Sequence, residues 1–312
     1  MITEEQRRER INYIGGSDAP AVLGVSRWKT ALQVWGEKTG LITPPDISEK
    51  IQIRLGNKLE QAVAELFMEE TGMKLQRVNE TVYHKKHKFI AANLDRKVVG
   101  HYALVEVKTT DARNADEWED GQAPADAIAQ VLHQLAVTGL EKGYVVGLIG
   151  NRDLKIVEVP RNEAAIKELI ATEVDFWNNF VVPKVMPAVG SMDKDTLLSL
   201  FPQGREGEPV VLDDVAASTC ELLESMDADY KALGLQIEKA RNELRAQMKD
   251  SETAVAGAYK LYWTNVTRSR LDTEKMKEEA PEVYARFAKP TTSRRFLMKK
   301  LQQDQLKEES NG

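Results

Sequence analysis

The sequence predicts an α/β (α+β) domain over residues 1–182, a central mixed sheet flanked by helices, with a helical and β-hairpin extension after it. Three observations carry this. Helix-like and strand-like runs follow one another in the order α-β-β-β-α-β. Residues 95–108 read as the end of one strand, a turn at Gly100 and a second strand, so that Asp95 and Glu106 fall at adjacent strand positions. Amphipathic helical runs stand on both sides of these strands, each stopped by a glycine.

Taken in order, Arg10 to Gly24 contains a short helix for which Ser17 or Asp18 is the N-cap, Pro20 a first-turn residue and Gly24 the stop. Gly15 and Gly16 precede it, and a helix start exposed in this way attracts phosphate. Trp28 to Gly40 forms a second helix, capped by Thr30, with Trp28 and Trp35 assigned to the core. After Pro44 and Pro45, Leu55 to Thr71 places Leu55, Leu59, Ala62, Val63, Leu66 and Phe67 on one face. Glu60 borders that stripe, as a surface charge or as a third acid turned towards the strands.

Lys74–His84, Phe89–Asp95 and Ala103–Thr109 make an antiparallel meander. Glu106 and Lys108 project together from the third strand, while Val105 and Val107 point into the apolar layer. Two carboxylates and the Val107 carbonyl are hard oxygen ligands suited to Mg²⁺, and a lysine beside them can hold a phosphate or a water. Pro124 to Gly139 is a helix with Gln130 and Gln134 on one face and His133 beside them. Tyr144–Ile149 and Leu154–Val159 form a hairpin, and Glu163–Val182 a closing helix.

Residues 183–212 read as a linker, and 213–312 as an accessory region for DNA binding or assembly. Leu222, Met226, Leu233, Ile237, Leu244 and Met248 keep a three-four spacing along a long charged helix that needs a packing partner. Tyr259, Leu261 and Trp263 alternate as a strand, a helix follows over Thr273–Phe287, and Ser293–Lys300 returns as a strand. Although the chain carries a net charge of −6, residues 257–300 hold eleven Lys/Arg against five Asp/Glu. Arg268, Arg270, Arg294 and Arg295 belong to this basic stretch, which suits a polyanion.

Composition narrows the classes. A single cysteine, Cys220, excludes an intramolecular disulfide and a Cys-ligated zinc or iron-sulfur site. No run is long and apolar enough to span a bilayer, and the first ten residues are charged, so a cytoplasmic protein without a membrane partner is expected.

Four blocks, Arg10 to Trp28, Leu55 to Gly72, Ala91 to Thr110 and Ala127 to Gly139, resemble in sequence and order the YqaJ-like phage recombinases. That branch of the PD-(D/E)XK nuclease superfamily is related to the lambda-type alkaline exonuclease. The chain departs from the signature at Leu94, where the family usually has a proline before the Asp. The resemblance implies a restriction-endonuclease-like core with Asp95, Glu106 and the Val107 carbonyl as metal ligands, Glu60 in support, and Lys108 and Gln130 in the catalytic group. It implies that Arg10 and Ser17 hold a DNA 5′-phosphate and that His133 contacts DNA. It further implies Mg²⁺, with Mn²⁺ able to substitute, and digestion of one strand of linear duplex DNA from an end, 5′ to 3′. Double-stranded DNA ends, a single-strand annealing protein and a ring-shaped homo-oligomer are the implied partners, in a bacterial host carrying phage or prophage genes. A site-specific endonuclease of the same fold and a non-catalytic DNA-end or assembly protein stand as the alternatives.

Overall fold

Strand β5 (Ala103–Thr110) is the centre of the computed structural model, which describes residues 9–44, 46–207, 209–289 and 293–300. Its side chains alternate between two apolar layers. Leu104 points towards helix α4 (Ala125–Thr138), into a cluster with Val131, Leu135, Val145 and Ile149. Val105 points the other way, towards helix α3 (Ile51–Thr71), where Val63, Phe67, Val98, Tyr144 and Val146 meet it. Burying such a side chain in full contributes about 1.5–3 kcal/mol, so the two layers fix which face of β5 each residue takes.

The sheet has five strands in the order β1 (Leu75–Arg77), β4 (Arg96–Val98), β5, β6 (Lys142–Ile149) and β7 (Asp153–Pro160). All neighbours are antiparallel except β5 and β6, which run parallel with Glu106 opposite Val145. A parallel pair needs a crossover, and α4 supplies it. The expected mixed sheet flanked by helices is therefore present. Gly147 on β6 leaves room for the buried Trp118, whose ring would stand 2.4 Å from a Cβ there.

The three-strand meander is corrected. The run Lys74–His84 is divided into β1 and β2 (Val82–Tyr83), and β2 pairs with β3 (Ala91–Ala92) as a separate two-stranded ribbon. The neighbour of β5 is β4, which begins just after Asp95. Period-two alternation marks extended chain but not its partner, and here two small, fully buried alanines carry the chain past α4 before it rejoins the sheet.

Helix α1 (Ala19–Val22) and helix α2 (Ala31–Lys38), with Thr30 as N-cap, pack with helix α5 (Glu163–Phe176) and the π-turn Trp177–Val181. Trp35 is buried, whereas Trp28 precedes the cap and is 72% exposed under the Arg27 guanidinium, which corrects its core assignment. On α3 Val63, Ala64 and Phe67 are buried against the sheet, whereas Leu55 and Leu66 remain exposed, so the predicted apolar face is only partly covered. Residues 183–212 are not a bare linker. Helix α6 (Lys194–Leu200) packs Leu197 and Leu200 beside the Val34–Trp35 cluster, and the compact unit runs to Pro202.

The second unit, Gln203–Gly312, contains helix α7 (Asp214–Met248), capped by Asp213. Strands β8 (Thr253–Ala256) and β9 (Tyr259–Tyr262) follow, turning at Gly257 with φ +58°. Helices α8 (Thr273–Glu279) and α9 (Pro281–Phe287) replace the single helix expected, because Ala280 precedes a proline and leaves the helical region. Residues 293–300 hold no strand, and β9 pairs instead with β8, next to it in sequence, where loop closure costs far less entropy.

Candidate active site

Alternation on β5 turns Glu106 and Lys108 towards α4, and the helical spacing of Gln130 and Gln134 turns both amides back towards the strand. Glu106 is 4% exposed, and such a carboxylate needs donors. Its Oε1 accepts from Lys108 Nζ and from Gln130 Nε2, both at 2.7 Å, and its Oε2 accepts from Gln134 Nε2 at 2.7 Å. Lys108 Nζ also donates to Gln130 Oε1 at 2.7 Å, closing a three-residue ring. Burial alone lowers the Lys108 pKa, but the charge and hydrogen bond of Glu106 together with the charges of Asp95 and Asp126 outweigh it, and the ammonium is stabilised overall.

Asp95 reaches the same strand from the start of β4. Its Oδ2 accepts the Val107 N–H at 3.0 Å, which sets the acid beside the backbone between Glu106 and Lys108. Burial and the Glu106 charge push its pKa up to about 7, against the lowering effect of the Val107 N–H and of Lys108. Burial and the Glu106 charge make an ionised Asp95 costly, and the hard oxygens of Asp95 and Glu106, with the Val107 carbonyl of the same strand as Glu106, fit a divalent cation such as Mg²⁺ that would offset that cost. Among the described residues no group of three or more His, Cys, Asp or Glu side chains is arranged to hold a metal, so the fit rests on the pair and the backbone.

Glu60, the candidate third acid, is engaged from the other side of the sheet. Arg96, 4% exposed, donates through Nη1 to Glu60 Oε1 and to the Asp95 carbonyl, each at 2.6 Å, and through Nη2 to Gln61 Oε1 at 3.1 Å. Sequence reasoning missed Arg96. Its adjacency to Asp95 was the available signal, since an arginine buried beside a site acid needs a carboxylate partner.

Arg10 and Ser17 are brought together, with Arg10 Nη2 donating to Ser17 Oγ. Asp18 beneath them makes no side-chain hydrogen bond to the start of α1, which corrects the N-cap reading. Its buried carboxylate accepts from Gly15 N at 3.2 Å, Lys29 Nζ at 2.9 Å and Lys38 Nζ at 2.7 Å. Burial would raise its pKa, but Lys38, Lys29 and Arg10 prevail and hold it far below the usual carboxylate range. A Cβ on Gly16 would stand 3.3 Å from Gln130 Cγ, so the Gly15–Ser17 turn lies directly on the glutamines that clamp Glu106.

His133 is corrected. It is fully buried, its Nδ1 paired with Glu173 Oε1 at 2.7 Å and its Nε2 with the Ala91 carbonyl at 2.9 Å, so no DNA reaches it. It ties α4 to α5 and β3 instead. Arg268, Arg270, Arg294 and Arg295 are exposed in the second unit, on segments without regular structure. Among the described residues no helix is long and apolar enough to cross a membrane.

A model of the YqaJ-like viral recombinase domain matches residues 4–141, a span that includes Arg10, Asp95, Glu106, Lys108 and Gln130. The uncharacterized protein YqaJ of Bacillus subtilis (strain 168) is 34% identical over 307 residues, covering 96% of this chain and 95% of that protein. The chain belongs to the YqaJ-like viral recombinase family. Within the YqaJ-like match, the Asp95–Glu106 pair, the glutamine helix and the Arg10–Ser17 turn come from three separate segments that the fold gathers. Distant likenesses include an alkaline exonuclease from Laribacter hongkongensis, at 16% identity and TM-score 0.49, covering 59% of this chain and 94% of that one. A phage related exonuclease from Haemophilus somnus 129PT aligns at 13% identity and TM-score 0.40, over 55% and 96% of the two chains. Scores of this size say nothing about chemistry.

Proposed function

We propose that this YqaJ-like chain is a metal-dependent deoxyribonuclease that digests one strand of linear duplex DNA from a 5′ end, supplying single strand for phage recombination. The observation that carries the proposal is the closed ring of Glu106, Lys108 and Gln130 with Asp95 fastened to Val107 N–H beside it. Asp95, Glu106 and the Val107 carbonyl hold Mg²⁺ or Mn²⁺, with Glu60 in support. When bound, the cation lowers the pKa of water and neutralises charge on the phosphate.

The chain's own residues do the rest. Lys108, held cationic by Glu106, orients the attacking water and stabilises charge developing on phosphorus oxygens. Gln130 fixes the Lys108 ammonium by one hydrogen bond and Glu106 by another, and Gln134 fixes the second Glu106 oxygen, so the carboxylate cannot turn away. No side chain serves as a covalent nucleophile. Arg10 and Ser17 bind the terminal 5′-phosphate, which a guanidinium and a hydroxyl at a glycine turn suit. A single-strand annealing protein takes up the product strand, and the enzyme works as a ring-shaped homo-oligomer around DNA.

The test compares linear duplexes bearing a 5′-phosphate or a 5′-hydroxyl with a covalently closed circle, with and without Mg²⁺. Nucleotide release from the phosphorylated linear substrate alone is expected at full rate, and Arg10→Ala narrows the gap between the two linear substrates. Cutting of the circle would instead indicate an endonuclease, and equal rates for the two linear substrates would remove the pocket.

A further inference from the structure

The ribbon β2–β3 turns through His84-Lys85-Lys86-His87-Lys88, five basic residues in succession in a chain whose net charge is −6. Lys85, Lys86 and Lys88 are exposed, and among the described residues none of the three has an ion-pair partner. The turn is ordered despite this repulsion. His84 N–H donates to the Ile90 carbonyl at 2.9 Å, Ile90 N–H to the His87 carbonyl at 3.0 Å, and His87 N–H to His84 Nδ1 at 3.1 Å. The two imidazoles stack with centroids 5.3 Å apart, and Phe89 stacks flat on Trp177 at 5.1 Å. Like charges held close in a fixed turn cost stability unless something anionic visits them.

Its position connects it with the candidate active site. Ile14 N–H donates to the Phe89 carbonyl at 2.7 Å and Ala91 N–H to the Ile14 carbonyl at 3.0 Å, so Lys88 is one residue from a bond to the strand that enters the Gly15–Ser17 turn. From Ile14 to Ser17 the chain spans at most about 10 Å, and from Lys88 to Asp95 at most about 25 Å. A duplex carries one negative charge per about 1.7 Å of axis, so a strand lying along Ser17 and Asp95 passes several phosphates within reach of a lysine.

We propose that the His84–Lys88 turn is a clamp for DNA backbone phosphates next to the terminal phosphate, with Lys85, Lys86 and Lys88 as the contacting groups; this rests on the nuclease function proposed above. The burial of His84, and then the charges of His87, His133, Lys86 and Lys88, lower its pKa, as expected where positive charge is gathered. The lysines therefore carry the contact and the stacked imidazoles shape it.

The test uses the full chain with Lys85→Gln, Lys86→Gln and Lys88→Gln combined, beside a triple Lys→Arg variant at the same positions. Affinity for a short 5′-phosphorylated duplex is measured without divalent cation over a range of salt concentrations. The log-log slope is expected to fall by about 2.7 in the glutamine variant, about 0.9 for each phosphate left without its lysine, and to return in the arginine variant. Neutral methylphosphonates at the linkages beside the 5′ end lower the slope for wild type but not for the glutamine variant. A glutamine variant with the wild-type slope overturns the clamp and leaves the patch to a protein partner. A wild-type protein that binds no duplex removes the nuclease reading and the clamp together.

Discussion

Arg96 Nη1 donates to the Glu60 carboxylate and to the Asp95 carbonyl at the same 2.6 Å. One buried guanidinium thus ties an acid on α3 to the backbone of an acid at the head of β4. Breaking a buried pair by removing one partner strands the other charge and typically costs about 3–5 kcal/mol. Arg96→Met is therefore expected to destabilise the protein by that order and to lower nuclease turnover. Arg96→Met combined with Glu60→Met should recover most of the stability, and a double-mutant cycle by denaturant unfolding measures it. Additive losses would show that the two groups do not act as a pair.

The second prediction uses the raised pKa of Asp95. A carboxyl whose folded pKa lies above its unfolded value binds more protons in the native state, so its contribution falls as pH rises from about 4 towards 7. Metal-free protein should lose stability across that window, and Asp95→Asn should remove that loss and raise the melting temperature at pH 8. The same variant, like Glu106→Ala and Lys108→Ala, should lack hydrolysis altogether. Purified Asp95→Asn that still turns over DNA, or that melts below wild type at pH 8, contradicts the assignment.

His133 gives a pH effect of the same direction from a different window. Burial lowers its pKa, but Glu173 and the Ala91 carbonyl prevail and raise it above the ordinary histidine value. A histidine raised in this way stabilises fully below about pH 6.5, and the contribution is lost as pH rises through the folded value. His84, which is lowered, acts below that range. Melting temperatures between pH 6.5 and 9 should therefore decline in wild type and flatten in His133→Gln, and parallel curves would discount the ion pair.

How much of this was legible in sequence depends on how far apart the partners lie. Glu106 and Lys108 sit two residues apart on one strand, and Gln130 and Gln134 four apart on one helix, so local periodicity alone aimed them. The Arg96–Glu60 pair joins residues 36 apart, and His133–Glu173 residues 40 apart. No periodicity reports such pairs. Asp18 was visible as a cap candidate because Ser and Asp before a proline have that habit, yet its partners Lys29 and Lys38 come from the next turn and helix. The ribbon β2–β3 was hidden inside two runs that each looked like single strands, because alternation carries no record of pairing.

The last prediction concerns the second unit, where exposed arginines and an exposed apolar stripe call for different partners. Leu222, Met226, Leu233, Ile237 and Leu244 on α7 are 61%, 59%, 54%, 44% and 39% exposed, and such a stripe is stabilised by burial against another helix. Arg268, Arg270, Arg294 and Arg295 suit phosphate instead. Leu233→Asp with Ile237→Asp should lower the mass seen by light scattering and leave the salt slope of DNA binding per chain unchanged. Replacing the four arginines by alanine should do the reverse, flattening the slope by about 0.9 for each phosphate no longer neutralised while the mass stays constant. Light scattering and salt titration on both variants separate the two roles, because self-association reads apolar area and DNA binding reads charge. A slope unmoved by removal of all four arginines would take this region out of the DNA-binding surface.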